Sequence, residues 1–285
     1  MTYFSESLAA LAPDYDVVLS DVWGVVHNGV AAFPEACEAL TRFREGGGSV
    51  VLITNAPRPH GVVEAQLTQF RAPHSIFDAV VSSGDVTRNV IKERAGQTIL
   101  HIGPQRDLAT FEGLDVQFAP VESADYVICT GLFHEETETG EDYRPLLEQM
   151  RARNLFMVCG NPDVIVERGD VVLYCAGAIA DLYVKMGGDV FYAGKPYAPI
   201  YDLALKHAAD ARGKPVDRKR VLAIGDSVRT DFAGAAAYGI DCMFVTSGIH
   251  AAEFGERDNP DADAVERVLV AAGARPRAIA RKVKW

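Results

Sequence analysis

The chain has 285 residues, 48% hydrophobic and 24% charged, which is ordinary for a globular protein of one large or two modest domains. Its net charge of −11 argues against a general nucleic-acid partner, because phosphate backbones attract the opposite sign. Five scattered cysteines without a CxxC pair predict neither a zinc site nor disulfides, and they favour a reducing compartment. The chain starts without a basic signal segment, and its apolar runs are too short to span a membrane. We therefore expect a cytoplasmic protein without a membrane partner.

Short, nearly continuous apolar runs alternate with helix-like segments in the first part of the chain. DVVLSD (16–21) and SVVLIT (49–54) are typical of buried parallel strands. The segment between them predicts a helix that takes Pro34 in its first turn and ends in a run of glycines. A second helix (60–70) leads to a third strand (77–83). This β-α-β-α-β order predicts right-handed crossovers and a parallel sheet.

The same alternation returns late in the chain. Helices are predicted at 195–210, with Pro196 in the first turn, and at 229–239. Strands are predicted at 220–226 and 241–248. The C-terminal ARPRAIARKVKW is a short basic run that predicts a solvated or loosely docked tail rather than a nucleic-acid arm.

The middle of the chain contains its own strands and helices. Strand-like runs are TILHIG, ADYVICTG, NLFMVCG and VVLYCAG, and helix-like segments are EDYRPLLEQM and AIADLYVKMGG. These elements are enough for a separate small α/β unit. We predict a domain inserted into a domain: 87–189 forms the insert, and 1–86 with 190–285 form one core domain around one sheet.

Acidic residues close two of the predicted strands. Asp21 ends the first run, and Asp226 and Asp231 lie in GDSVRTD after a late strand. Ligands of open α/β folds bind at the carboxyl edge of a parallel sheet, where these side chains would meet. Three carboxylates there would repel one another unless a hard cation lay among them, and Mg²⁺ is the usual one. The alternative is structural: Asp21 could cap a turn, and Ser227 and Thr230 could cap a helix.

Other polar residues follow strand ends or precede helices in the same order along the chain. Thr54 and Asn55 could hold a phosphate oxygen by hydrogen bonds, although Asn and Pro also favour a simple turn. Lys195 could neutralise a transferring phosphoryl group, although most lysines are merely exposed cations. A carboxylate such as Asp21 could attack phosphorus and form an aspartyl-phosphate.

DVWGVVHNG, LITNAPRP, AGKPYAPIY and IGDSVRTD resemble, in order and spacing, the four motifs of haloacid dehalogenase-like (HAD) hydrolases. The long insert, with CGNPDVIVERG inside it, resembles the type IIA cap of the NagD-like phosphatase branch. The resemblance covers nearly the whole chain. It implies a Rossmann-like three-layer α/β/α core, an inserted α/β cap and Mg²⁺ as cofactor.

The resemblance also implies roles for the metal site. Asp21 would be nucleophile and metal ligand, and the backbone carbonyl of Trp23 and the side chain of Asp226 would also bind the metal. Asp231 would support the metal and its waters.

A second set of roles concerns the substrate. Thr54 and Lys195 would hold the phosphoryl group, with Asn55 beside them in the second motif. Asn161 and Asp163 match the NPD signature of the cap, near the loops that face substrate.

The chain departs from the family pattern at Trp23. HAD phosphatases carry Asp at this position, where it protonates the leaving group and later activates water. The indole N–H of Trp is only a donor, and general acid–base help is typically worth ~10²–10⁴ in rate. Three explanations stay open: His27 supplies the proton, the substrate has a good leaving group, or the site binds a phosphorylated ligand without turnover.

The dehalogenase branch of the same superfamily also has an aromatic residue at the position of Trp23, and it works without metal. It lacks the carboxylate pair seen here as Asp226 and Asp231, and its cap sits earlier, so we rank it low. We predict Mg²⁺-dependent hydrolysis of a small phosphorylated metabolite through an aspartyl-phosphate on Asp21. The alternative is a non-catalytic or regulatory phospho-ligand-binding protein with the same metal site.

Two further expectations concern the insert. GLFHEETETGEDYR (131–144) offers many acids, which would disfavour strongly anionic substrates unless the segment is a solvated loop. Apolar segments of the insert leave room for a homodimer.

Overall fold

The structure is a computed structural model that describes residues 7–168, 171–256, 259–273 and 275–285. The strands, in chain order, are β1 (Val17–Ser20), β2 (Ser49–Thr54), β3 (Ala79–Ser82), β4 (Thr98–Ile102), β5 (Gln117–Phe118), β6 (Tyr126–Cys129), β7 (Phe156–Cys159), β8 (Ile165–Arg168), β9 (Val171–Tyr174), β10 (Asp189–Tyr192), β11 (Val221–Gly225), β12 (Asp241–Val245), β13 (Gly255–Glu256), β14 (Asn259–Pro260) and β15 (Ala278–Ala280). The α-helices, in chain order, are α1 (Pro34–Glu45), α2 (His60–Gln69), α3 (Ser83–Glu93), α4 (Arg144–Ala152), α5 (Ala176–Lys185), α6 (Ala198–Arg212), α7 (Ala233–Tyr238) and α8 (Ala262–Ala271).

The chain divides into two compact units. The first unit comprises Met1–Thr54, Glu64–Val81 and Pro196–Trp285, and the second comprises Asn55–Val63 and Ser82–Lys195. Each unit is built from segments that are not contiguous in the sequence. The predicted insert at 87–189 stays a prediction. The assignment of the insert as a cap stays a prediction.

A six-stranded sheet in the order β15-β12-β11-β1-β2-β3 forms the centre of the first unit. The pairs β1–β2, β1–β11, β11–β12 and β12–β15 are parallel. Every residue of β1, β2 and β11 is buried, as in parallel strands that are covered on both faces. The predicted α/β class, with strands in a parallel sheet, is confirmed.

Two predictions for the helices of the first unit have different outcomes. Helix α1 begins at Pro34 and ends before Gly46, as predicted. Helix α6 begins at Ala198, so the prediction that Pro196 lies in its first turn is wrong. Tyr197 stays extended (φ −85°, ψ 147°) as the N-cap residue, and the proline of the first turn is Pro199.

The C-terminal segment is an edge strand rather than a loose tail. Strand β15 pairs in parallel with β12, and Ile279 within it and Val283 after it are each 1% exposed. The Leu8 backbone N–H donates to the Lys284 carbonyl at 2.7 Å. The predicted solvated or loosely docked tail is therefore wrong, because the apolar AIA triplet completes the sheet and buries its side chains.

A second, five-stranded parallel sheet in the order β10-β7-β6-β4-β5 forms the second unit. Helices α4 and α5 pack on it through a buried cluster that includes Val127, Leu147, Met157, Ile179 and Tyr183. Strand β10 was not predicted from the sequence, and the predicted boundary at 189/190 runs through it. The run VVLYCAG forms β9, but it pairs with β8 in a separate antiparallel hairpin rather than in the sheet.

All five cysteines fall in the described ranges as buried thiols, and no disulfide joins them, as predicted. Among the helices that the structure describes, none combines the length and apolar character needed to cross a membrane.

Candidate active site

Three buried aspartates come together at the carboxyl edge of the six-stranded sheet. Asp21 directly follows β1, Asp226 directly follows β11, and Asp231 lies in a π-helical turn, Val228–Phe232. One carboxylate oxygen of each lies within 4.8 Å of the other two. The three residues are 6%, 5% and 3% exposed, respectively. Such close, buried like charges are the arrangement that a divalent cation stabilises.

Backbone amides orient two of the three carboxylates. The Ile249 N–H donates to Asp226 Oδ2 at 2.8 Å, and the Ser227 N–H donates to Asp231 Oδ2 at 3.2 Å. The Ser227 hydroxyl also accepts from the Thr230 N–H at 3.3 Å, so it caps the π turn. The capping alternative is thus correct for Ser227, and it coexists with the aspartate cluster. The contribution of Ile249 was not predictable from the sequence, because a backbone donor leaves no side-chain signal.

The turn after β1 passes directly over Asp226. Gly24 has φ +86°, and a Cβ placed on it would lie 2.1 Å from Asp226 Oδ2. Only glycine fits there, because another residue would be strained at this φ and its Cβ would overlap the carboxylate of Asp226. The role of the Trp23 backbone carbonyl in this turn as a metal ligand stays a prediction.

The indole of Trp23 is held within the same turn. It lies edge-on to the His27 ring, with centroids 5.1 Å apart. It also covers Gly29, where a Cβ would lie 2.7 Å from Trp23 Cζ2 at φ +83°. The Gly24 N–H donates to the His27 carbonyl at 2.8 Å and closes the turn.

His27 is surrounded by protein. It is 2% exposed, and its Nδ1 accepts from the Gly29 N–H at 3.0 Å. The Phe70 ring contacts its other side, at 4.8 Å between centroids. Burial lowers the pKa of His27 to about 4, so the ring is neutral near pH 7. These contacts favour a structural role, and the role of His27 as proton donor stays a prediction that none of them supports.

The residues predicted to hold the phosphoryl group are both buried. Thr54 ends β2, next to β1 in the sheet of the first unit, and it is 7% exposed. Lys195 follows β10 in the second unit and is 3% exposed, so it is not the exposed cation of the alternative interpretation.

Asn55 and Asp163, both predicted to contact substrate, contact each other in the second unit. Asn55 Nδ2 donates to Asp163 Oδ1 at 2.9 Å and to the Lys195 carbonyl at 3.1 Å. Asn55 Oδ1 accepts from the Lys195 N–H at 2.7 Å. The amide therefore binds both backbone groups of Lys195.

Asn161, the third residue predicted to face substrate, folds the NPD loop. Its Oδ1 accepts from the Asp163 N–H at 3.1 Å. The Asp163 carbonyl accepts from the Gly177 N–H in the first turn of α5, also at 3.1 Å. The NPD loop is thus attached to a helix of its own unit.

Three acids of the segment 131–144 form ion pairs with arginines, and the other two accept hydrogen bonds from hydroxyls. Arg168 pairs with Glu135 at 3.3 Å and with Glu136 at 2.9 Å, and Arg106 also contacts Glu135. Glu141 pairs with Arg144, while Glu138 accepts a hydrogen bond from Tyr143 and Asp142 accepts one from Thr139. Hydroxyl donors do not cancel the charge of Glu138 and Asp142, and the expected bias against strongly anionic substrates stays a prediction.

Comparison with known proteins agrees with this architecture. A sequence profile of haloacid dehalogenase-like hydrolases matches residues 18–117, and a profile of HAD-hydrolase-like proteins matches 192–275. A crystal structure of a haloacid dehalogenase-like hydrolase from Brucella suis 1330 is 44% identical, covers 98% of this chain and 100% of its own, and superimposes with a TM-score of 0.87. The chain belongs to the haloacid dehalogenase-like hydrolase family, and the resemblance inferred from the motifs is confirmed.

Two curated relatives are more distant. The 5'-nucleotidase YutF of Bacillus subtilis (strain 168) is 23% identical over 82% of this chain and 88% of its own length. The D-glycerol 3-phosphate phosphatase of Mycobacterium tuberculosis is 28% identical over 86% of this chain and 67% of its own length.

Proposed function

We propose that the chain hydrolyses a small organic phosphate with Mg²⁺ through an aspartyl-phosphate on Asp21. The observation that carries this proposal is the cluster of Asp21, Asp226 and Asp231 at one edge of the sheet. The two curated relatives support it, since their names denote enzymes that act on phosphate monoesters. Buried thiols agree with a cytoplasmic location, which stays part of the proposal, as does a homodimer.

The donor set fits Mg²⁺, which prefers carboxylate and carbonyl oxygens and keeps several waters. Backbone amides orient the carboxylates of Asp226 and Asp231, and carboxylate oxygens are ligands that Mg²⁺ prefers. Asp21, Asp226 and the Trp23 carbonyl would hold the ion, and Asp231 would orient its waters. When bound, the ion would neutralise the carboxylates and the phosphoryl oxygens.

The reaction then has two steps. A carboxylate oxygen of Asp21 attacks phosphorus while the ester P–O bond breaks, and the leaving alkoxide takes up a proton. Water next attacks the phosphorus of the aspartyl-phosphate, the acyl P–O bond breaks, and inorganic phosphate is released. The Thr54 hydroxyl and the Lys195 ammonium would hold the phosphoryl oxygens throughout.

Trp23 restricts the substrates that this reaction can take. An indole cannot deliver a proton to the leaving oxygen, and the His27 ring is neutral and buried. We therefore infer that phosphates with good leaving groups react faster than alkyl phosphates. The same observation favours a second candidate function, in which the site binds a phosphorylated ligand without turnover.

Steady-state assays separate the two functions. We expect Mg²⁺ to support hydrolysis of p-nitrophenyl phosphate, EDTA to abolish it, and glycerol 3-phosphate or a nucleoside monophosphate to react more slowly. Asp21→Asn removes the nucleophile and abolishes turnover. Asp210→Asn makes the same chemical change on an exposed position of α6 and is the matched control.

Three outcomes of these assays would contradict the proposed reaction or favour the second function. Mg²⁺-dependent phosphate binding measured by calorimetry, with no turnover of any substrate, favours the binding protein. Turnover that survives Asp21→Asn contradicts the aspartyl-phosphate. Absence of Mg²⁺ binding contradicts both functions.

A further inference from the structure

The Asn55 carboxamide is almost fully occupied by its own unit. Its two N–H groups donate to Asp163 Oδ1 at 2.9 Å and the Lys195 carbonyl at 3.1 Å. Its oxygen accepts from the Lys195 N–H at 2.7 Å. An amide has two donors, so Asn55 retains none for a phosphate oxygen. Asn55 is 3% exposed, which agrees with a role inside the protein rather than at its surface.

The contact with Lys195 resembles a backbone pairing. One side chain binds both the N–H and the C=O of the same residue, and this fixes the peptide planes on either side of the Lys195 Cα. The backbone of Lys195 then has one orientation from which its side chain can extend. Because Lys carries a compact charge on a flexible stem, a fixed starting point reduces the conformations that the ammonium group samples.

Asp163 sets the orientation of the amide. A carboxylate accepts hydrogen bonds only, so the NH₂ end of Asn55 must face it and the oxygen is left for the Lys195 N–H. Asp163 is itself held at both backbone groups, by Asn161 and by Gly177 of α5. The chain of contacts therefore runs from helix α5 through Asp163 and Asn55 to Lys195, all within the second unit.

We propose that Asn55 and Asp163 are positioning residues that act on the reaction through Lys195 and do not bind substrate. The proposal rests on the proposed function only in that Lys195 holds the phosphoryl group. It differs from the roles expected from the motifs, which place both side chains on the substrate. Reduced precision at Lys195 would lower transition-state stabilisation, so kcat would fall more than KM rises.

A polarity swap tests the pair. Asn55→Asp keeps an acceptor for the Lys195 N–H but places two carboxylates at hydrogen-bond distance, and we expect kcat/KM to fall about 10-fold or more. Asp163→Asn alone removes the charge that orients the amide, and we expect a smaller loss. In the double variant Asn55→Asp with Asp163→Asn, the new amide donates to the new carboxylate. The Lys195 carbonyl still lacks the donor that Asn55 supplied, so we expect the double variant to recover part of the activity lost in Asn55→Asp.

A second cycle distinguishes positioning from direct contact. In a Lys195→Met background, Asn55→Ala has no group left to position, so we expect it to change kcat/KM less than twofold. If Asn55 itself binds the phosphoryl group, the loss persists in that background. Persistence would overturn the proposal.

A measurement that needs no turnover tests the proposal even if the proposed function fails. Hydrogen exchange of the Lys195 amide, followed by mass spectrometry or NMR, reports the 2.7 Å bond to Asn55 directly. We expect faster exchange in Asn55→Ala and retained protection in the double swap. Unchanged exchange in Asn55→Ala would overturn the proposal even in an inactive protein.

Ser83 provides the matched control. It is fully buried, and a Cβ on Gly194 would lie 2.3 Å from Asn55 Oδ1 and 2.9 Å from Ser83 Oγ, so both side chains line the backbone just before Lys195. Among the described residues, Ser83 Oγ has no hydrogen-bond partner. Ser83→Ala thus alters the same neighbourhood without removing a bond, and we expect wild-type exchange and kcat/KM. A loss equal to that of Asn55→Ala would mean that general packing, not the hydrogen bonds between Asn55 and the Lys195 backbone, sets the activity.

Discussion

Ser20 of β1 and Ile224 of β11 are partners in parallel register. Asp21 follows the first by one residue and Asp226 follows the second by two, so the pairing delivers both carboxylates to one edge of the sheet. On the other side of β1, Ser20 is opposite Leu52 of β2, two residues before Thr54. The central three strands therefore bring two aspartates and a hydroxyl to one edge of the sheet from distant parts of the sequence.

The aspartate cluster predicts opposite effects of one substitution with and without metal. Asp226→Asn removes one of three buried like charges, so in EDTA we expect a higher midpoint of thermal unfolding than wild type. The variant keeps an acceptor for the Ile249 N–H. With Mg²⁺ at 100 times the wild-type Kd, the wild type should gain about 2.7 kcal/mol and the variant much less. Equal gains in Mg²⁺ would exclude Asp226 as a ligand.

Trp23→Asp tests the missing proton donor. We expect turnover of an alkyl phosphate to rise at least about tenfold, within the ~10²–10⁴ that general acid–base groups supply, while turnover of p-nitrophenyl phosphate changes little. Trp23→Phe shortens the ring without adding a carboxylate and is the control. An equal change for both substrates would show that proton transfer does not limit the reaction.

The sequence was sufficient to predict the sheet and the edge residues, because buried parallel strands leave continuous apolar runs and their ends leave carboxylates. It was insufficient to predict the contact between Asn55 and Asp163, because a motif specifies the residue type but not its hydrogen-bond partner. Their hydrogen bond spans 108 residues, and sequence spacing carries no information on such a contact. Ion pairs such as Arg168 with Glu135 were missed for the same reason.

The tail was mispredicted for a different reason. The basic character of the twelve-residue run was given more weight than the AIA triplet inside it, although short edge strands need only a few apolar residues. Strand β10 was missed because its apolar run has only three residues and follows a charged one.

Gly29→Ala tests how the Trp23 indole is held. The new Cβ would lie 2.7 Å from the indole at φ +83°, so the ring must move and the backbone is strained. Gly47→Ala imposes similar strain at φ +89° with nothing within 4 Å, and it isolates the effect of the contact. In a Trp285→Phe background, which leaves Trp23 as the single tryptophan of the chain, we expect the fluorescence emission to shift only for Gly29→Ala. Identical spectra for both variants would contradict the packing.

Ile279→Ala tests the C-terminal edge strand. Ile279 is 1% exposed, so we expect a loss of about 2–5 kcal/mol in the free energy of unfolding, measured with urea. Lys284→Ala breaks an ion pair with Glu35 in which the two side chains are 47% and 51% exposed, and it should change stability by no more than about 0.5 kcal/mol. A loosely docked tail would instead make both substitutions neutral.

His27 makes the stability of the protein depend on pH in a defined direction. Burial lowers its folded-state pKa from 6.5 to about 4, so the unfolded chain binds the proton first as pH falls. The stabilisation is complete above pH 6.5 and is lost between 6.5 and about 4, with a slope near 1.4 kcal/mol per pH unit and a total of about 3 kcal/mol.

His27→Asn keeps an acceptor for the Gly29 N–H but does not titrate. The measurement is urea unfolding at a series of pH values. We expect this variant to be less stable than wild type at pH 7, because it loses the ring contacts. Between pH 6.5 and about 4, its free energy of unfolding should fall less steeply than that of the wild type, by about 1.4 kcal/mol per pH unit. A His27→Asn profile parallel to that of the wild type would mean that the buried ring is not the titrating group.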